Sequence, residues 1–197
     1  MLEVTLLGTG GMMPLAERAL ASAMVRHQGK CILIDCGEGT QVQIHENGYS
    51  FKSIDAILLT HFHADHVSGL PGLLLSMSNQ GRTETITIAG PKGVSTVVNA
   101  LRIIAPKLPF AIQFIELEEM KMFRINDLEI TPFPLCHSVA CVGYRIHLPR
   151  AGRFLPENAK ALGLPVQLWN PLQKQNHVTW MGREFTPDQV MTKPRKG

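Results

Sequence analysis

The stretch Thr60-His61-Phe62-His63-Ala64-Asp65-His66 places three imidazoles and a carboxylate within six positions, directly behind the apolar run 56–60. A strand running out into a loop can splay His61, His63 and His66 toward one point beyond its carboxyl end. Packed into a core, such a cluster would be left unsatisfied, and it would repel itself if protonated. Nitrogen and oxygen donors of this kind suit zinc or a similar borderline divalent ion. His137 alone reads as a histidine satisfied by its neighbours; with the loop motif present it becomes a candidate ligand. Cys136 and Cys141 flank it, but their spacing is not a usual zinc spacing. His27, His45, His147 and His177 have no partner at ligand spacing and read as surface or packing residues.

The elements that must hold these residues alternate through the first 144 positions. Residues 2–7 read as a buried first strand, and 31–34 and 56–60 as further strands. A helix is expected over 69–76, a strand over 85–88 stopping at Gly90-Pro91, and a helix over 94–105. Strands over 114–117, 122–125, 128–132 and 143–148 complete the series, with Asn126-Asp127 as a turn. Strands interleaved with helices predict an α/β fold. Beyond His147 six prolines punctuate a segment holding both tryptophans, Trp169 and Trp180. One helix, 157–162, is expected there, and the segment has the texture of an arm rather than a core.

Hydrophobic residues make up 45% and charged residues 18% of the 197 positions, a globular composition. No apolar run reaches the roughly 18 residues of a membrane span. The N-terminus, with Glu3 and no basic region, does not read as a signal peptide. Four cysteines without a C-x-x-C pair predict reduced thiols in a cytoplasmic protein. The net charge of +3 is segregated: residues 1–144 hold 10 Lys and Arg against 13 Asp and Glu, residues 145–197 hold 9 against 3. A basic tail on a mildly acidic body points to an anionic partner such as nucleic acid, or else to a solvated terminal segment.

H-x-H-x-D-H after a hydrophobic strand resembles the signature of the metallo-β-lactamase superfamily, and the likeness extends further. Leu7-Gly8-Thr9-Gly10-Gly11 looks like that superfamily's first strand and glycine turn. Asp35-Cys36-Gly37-Glu38-Gly39-Thr40-Gln41, His66-Val-Ser-Gly-Leu-Pro-Gly72, Ile88-Ala-Gly-Pro-Lys-Gly93 and His137 with Gly143-Tyr144-Arg145 are similar to segments of the RNase Z family of tRNA 3′-processing endoribonucleases. The resemblance implies an αββα sandwich, its N-terminal half largely present over 1–147 and its second half missing. It implies that His61, His63 and His137 hold one zinc, that Asp65 and His66 contribute to a second, and that Asp65 orients or deprotonates the attacking water. Asp35 is then a hydrogen-bonding support rather than a ligand. Residues 148–197 resemble the start of a basic tRNA-gripping arm, with Arg150, Arg153, Lys160, Lys174 and Arg183 as phosphate contacts. After Gly163-Leu-Pro165 the family's glycine-proline element is replaced by Val166-Gln-Leu-Trp-Asn-Pro171.

The family pattern also implies a metal-bridging aspartate and two later histidines. Asp127 and Asp188 do not stand in the required setting, nor do His147 and His177. A complete site would hold two zinc ions; one or none is expected here. The expected function is removal of the 3′ trailer from precursor tRNA, impaired in this chain alone. A homodimer or a complementary C-terminal half would be the protein partner. The competing expectations are a hydrolase of small phosphoesters and a metal- or RNA-binding remnant without turnover.

Overall fold

The computed structural model describes residues 1–174 and 177–193. The chain divides into two compact units, Met1–Ile146 and His147–Gly197.

In the first unit, β1 (Leu2–Gly8), β2 (Ser22–His27), β3 (Lys30–Ile34), β4 (Ile54–Leu58), β5 (Ile86–Gly90) and β6 (Ile112–Glu116) form one sheet in chain order. The first three pair antiparallel, and β3 to β6 pair parallel. The parallel strands are joined by helices: α1 (Thr40–Glu46) before β4, α2 (Ala64–Val67) and α3 (Leu70–Asn79) before β5, and α4 (Val94–Leu101) before β6. Each crossover brings a helix back onto the sheet.

Strand alternation divides the sheet's two faces. Leu7, Met24, Leu33, Ile57, Leu59, Ile86 and Ile88 share one buried cluster with Ile44 of α1, Leu73 and Leu74 of α3, and Val94 and Val98 of α4. On the opposite face Val25, Ile32, Ala56 and Leu58 are also buried. There a second sheet forms from β7 (Phe123–Ile125), β8 (Leu128–Leu135) and β9 (Cys141–His147). It is tied to the first through Asn126 to Asp55 at 2.8 Å, Tyr144 hydroxyl to the Leu59 carbonyl at 2.6 Å and the Val142 amide to the Thr60 carbonyl at 2.9 Å. The layers run helix, sheet, sheet.

Three expectations need correction. β1 is not a buried strand: it lies at the sheet edge, and Val4 and Leu6 are 61% and 69% exposed. An apolar sequence cannot report whether a neighbour lies beside it. β5 runs two residues further than expected, through Gly90, and stops there before Pro91; Gly90 faces Val94 and Leu59 so closely that a larger residue would displace them. The helix expected to reach residue 105 ends at Leu101 and finishes as a 3-10 turn, Arg102–Ile104.

The second unit is more than an arm. Helices α5 (Pro156–Ala161) and α6 (Trp169–Lys174) and a hairpin of β10 (Val178–Trp180) with β11 (Arg183–Phe185) enclose a small core. Ala159, Leu164, Leu172, Val178, Phe185 and Val190 are buried in it, with Phe154 and Trp169 packed alongside. Trp169 donates its indole N–H to the Leu164 carbonyl at 3.0 Å. Strands of three residues are too short for periodicity to announce them.

Candidate metal centre

β4 delivers the ligand loop. Its last residues continue through Thr60 into His61, and Asp35 at the end of neighbouring β3 fixes that exit. One Asp35 oxygen accepts the Thr60 amide at 2.8 Å, and the other accepts the Thr60 hydroxyl at 2.8 Å and His66 Nδ1–H at 2.7 Å. Asp35 holds φ 56 to do so, a left-handed conformation that aspartate tolerates better than most residues. Because the Thr60 hydroxyl spends its proton on Asp35, it accepts from His61 Nδ1 at 2.9 Å. That bond sets the His61 tautomer and leaves its Nε2 bare for a ligand.

The bare Nε2 of His61 lies 3.1 Å from His63 Nδ1, and His137 Nε2 lies 3.3 Å from the same atom. All three ligand atoms fall within 4.8 Å of one another. Two nitrogens each about 2.0–2.1 Å from a tetrahedral zinc lie roughly 3.3 Å apart, a spacing that both distances to His63 Nδ1 match. This is the one cluster of three such donors among the described residues. His61 is buried, His63 half-buried and His137 exposed, so the trio opens to solvent on the His137 side. Burial and the neighbouring His66 push the His61 imidazole below its ordinary range, which keeps it neutral and able to ligate.

Asp65 and His66 stand beside this trio as a pair, His66 Nε2 3.6 Å from Asp65 Oδ2. The Asp65 carboxylate accepts the Met12 amide at 3.1 Å, and that bond holds it below the usual carboxylate range. The Asp35 hydrogen bond raises the His66 imidazole above its usual range. Close backbone approach locks the loops together. Cys36 N–H donates to the His66 carbonyl at 2.8 Å, and Gly69 N–H to the Cys36 carbonyl at 2.9 Å. A Cβ on Gly37 would sit 2.4 Å from the Asp65 carbonyl oxygen, so only glycine fits.

The five cations expected to touch phosphate, Arg150, Arg153, Lys160, Lys174 and Arg183, are all exposed in the second unit. Lys160 is paired with Glu157 at 3.4 Å, and Arg183 sits opposite Trp180 in the hairpin. All four cysteines are unpaired thiols, Cys31 and Cys36 buried. Sequence reading did not assign roles to the Thr60 hydroxyl, the Met12 amide or the Tyr144 hydroxyl, which braces the strand before the motif. The signal for Thr60 was its position between an apolar strand and the first histidine; for the amide there was none.

The helix–sheet–sheet layering with this cluster at the strand ends is a metallo-β-lactamase fold. It superimposes on the Bacillus subtilis metallo-β-lactamase-fold protein YhfI with a TM-score of 0.62 at 21% identity, covering 74% of this chain and 58% of that one. Within that fold, the structure of the human short-form tRNase Z matches at TM-score 0.63 and 30% identity, over 74% of this chain and 64% of that one. A Ribonuclease Z of Agathobacter rectalis is 54% identical over the whole chain, and one of Clostridium botulinum is 42% identical and covered to 67% of its length. Residues 2–149 also match the family model described as Anti-Pycsar protein Apyc1. The chain belongs to the ribonuclease Z family. It spans about 65% of the length of the Agathobacter relative. No helix among the described residues is long and apolar enough to cross a membrane.

Proposed function

We propose that this chain serves a zinc-dependent endoribonuclease reaction, removal of the 3′ trailer from precursor tRNA, with low activity when it acts alone. The observation that carries this reading is the convergence of His61 Nε2, His63 Nδ1 and His137 Nε2, with Asp65 and His66 beside them. Relatives named Ribonuclease Z support RNA as the substrate.

In this reading His61, His63 and His137 hold the first ion, and Asp65 and His66 contribute to a second. Bound zinc lowers the pKa of a water and polarises a phosphoryl oxygen. Asp65, a carboxylate held low by the Met12 amide, is a weak base and a good acceptor, so its role is to orient the attacking water. The second unit's Arg150, Arg153, Lys160, Lys174 and Arg183 position the RNA by phosphate contacts that carry no sequence information.

Asp65 and His66 have no third donor completing a cluster with them among the described residues. A second ion is therefore held weakly by these two donors alone. The same observation favours a second reading, a chain that binds metal and RNA without turnover.

Zinc calorimetry on the chain, followed by cleavage assays with precursor tRNA and with a small phosphodiester, separates these readings. One tight zinc site with slow, specific trailer release supports the proposal. Two tight sites per isolated chain overturn the predicted impairment, and turnover of the small ester alone overturns the RNA assignment. Binding of precursor tRNA that does not weaken with salt removes the phosphate-gripping role of the second unit.

A further inference from the structure

The glycine turn that leaves β1 carries two methionines whose placement the metal cluster does not explain. Met12 is 93% exposed and Met13 67% exposed. Their backbone nevertheless borders the site: Met12 N–H donates to Asp65 Oδ2 at 3.1 Å, and a Cβ on Gly11 would lie 3.6 Å from the same oxygen. A bond from Met13 N–H to the Gly11 carbonyl at 2.8 Å tightens the turn. Met12 also holds φ 65, a conformation in which glycine is the usual occupant. Packing does not account for an exposed apolar side chain at a strained backbone position beside a functional carboxylate, and such outliers concentrate at functional sites. Thioethers are flexible and polarisable and make favourable contacts with flat aromatic surfaces. Single-stranded RNA offers such surfaces as unstacked bases.

We infer that Met12 and Met13 form an apolar lip on which the nucleobase next to the scissile phosphodiester rests, while the phosphate meets the Asp65 side of the cluster. The inference rests on the RNA reading above and adds to it the group that receives the base. A thioether contacts the π-face of any base, so the lip selects for a splayed, unpaired nucleotide and not for its identity. A base inside a duplex has no free face to offer it.

The test is oxidation footprinting of the zinc-loaded chain. Hydrogen peroxide transfers one oxygen atom to a methionine sulfur, giving the sulfoxide and water, and the extent at each position is read by mass spectrometry. The probes are a short single-stranded RNA, an abasic phosphodiester strand of equal length, and inorganic phosphate. Met1, 97% exposed, is the internal reference. The RNA is expected to slow oxidation of Met12 and Met13 severalfold relative to Met1, with the abasic strand and phosphate leaving both rates unchanged. The double substitution Met12→Ala and Met13→Ala is expected to weaken RNA binding roughly two- to tenfold with zinc stoichiometry intact. If fluorescence anisotropy shows the RNA bound while Met12 and Met13 oxidise at the free rate, the lip is wrong and the RNA reading stands. Equal protection by the abasic strand also overturns the lip. If no RNA binds at all, both the lip and the RNA reading fall.

Discussion

Asp35, Thr60 and His61 form a chain of hydrogen bonds in which each donor's direction is set by the one before it. The carboxylate can only accept, so the Thr60 hydroxyl donates to it and accepts from His61, and His66 Nδ1 donates as well. Asp35→Asn keeps the shape but cannot accept from all three donors. We expect zinc affinity to fall by about 10- to 100-fold, the usual effect of losing such a support, with circular dichroism unchanged. Calorimetry checks it; an unaltered affinity would mean the histidines hold their orientation without help. His137→Ala should abolish tight zinc binding outright, since two nitrogens remain. Protons compete with the ion for these imidazoles, so affinity should drop as pH falls from about 7.5 to 5.5. His61, which burial already holds below its ordinary range, resists that protonation.

At the scale of elements, two glycines and one glutamate show how the layers are kept in register. Gly37 lies against the Asp65 carbonyl and Leu20, and Gly69 lies against the Gly37 carbonyl. Gly37→Ala should therefore push the ligand loop away from β3. Urea denaturation is expected to show a loss of about 1–3 kcal/mol, accompanied by weaker zinc binding; wild-type values for both would mean the loops yield freely. Glu116, at the end of β6, accepts the Ser95 hydroxyl at 2.7 Å and the Gly93 amide at 3.1 Å at the start of α4. Those bonds, the hydroxyl first, hold its carboxyl below the usual range. The stability it contributes is complete above its unfolded pKa and is lost as pH falls through the folded value. Glu116→Gln should lower stability at neutral pH slightly and so flatten that part of the acid denaturation curve, with stability at low pH nearly unchanged.

For the first unit taken whole, the buried Arg82 and the open β1 edge mark opposite extremes. Arg82 is 1% exposed, and its guanidinium donates to the carbonyls of Lys52, Ile54, Glu84 and Thr85. It ties the start of β4 to the loop before β5, and Arg82→Met would strand those acceptors. A loss of about 3 kcal/mol is expected in thermal or urea unfolding. Val4 and Leu6 on β1 stand in solvent beside unpaired backbone. Leu6→Lys should reduce self-association measured by sedimentation without changing zinc binding, because exposed apolar edges recruit other chains. An unchanged sedimentation profile would remove the edge as a contact surface.

Much of this was legible in the residues themselves. The spacing of His61, His63, Asp65 and His66 after an apolar run specifies a donor cluster locally, because a strand and its loop place such neighbours together regardless of the rest of the fold. The alternation of strands and helices likewise reports an α/β sheet. Spacing could not place His137, 74 positions from His63, within reach of it; that expectation came from the family resemblance, and the docking of one sheet on the other decides it. Nor could the sequence show that β1 lies at an edge, that residues beyond 147 enclose their own core, or that the Met12 amide reaches Asp65. Those facts depend on which surfaces meet in three dimensions, and apolar pattern says only that a surface wants cover, not what covers it.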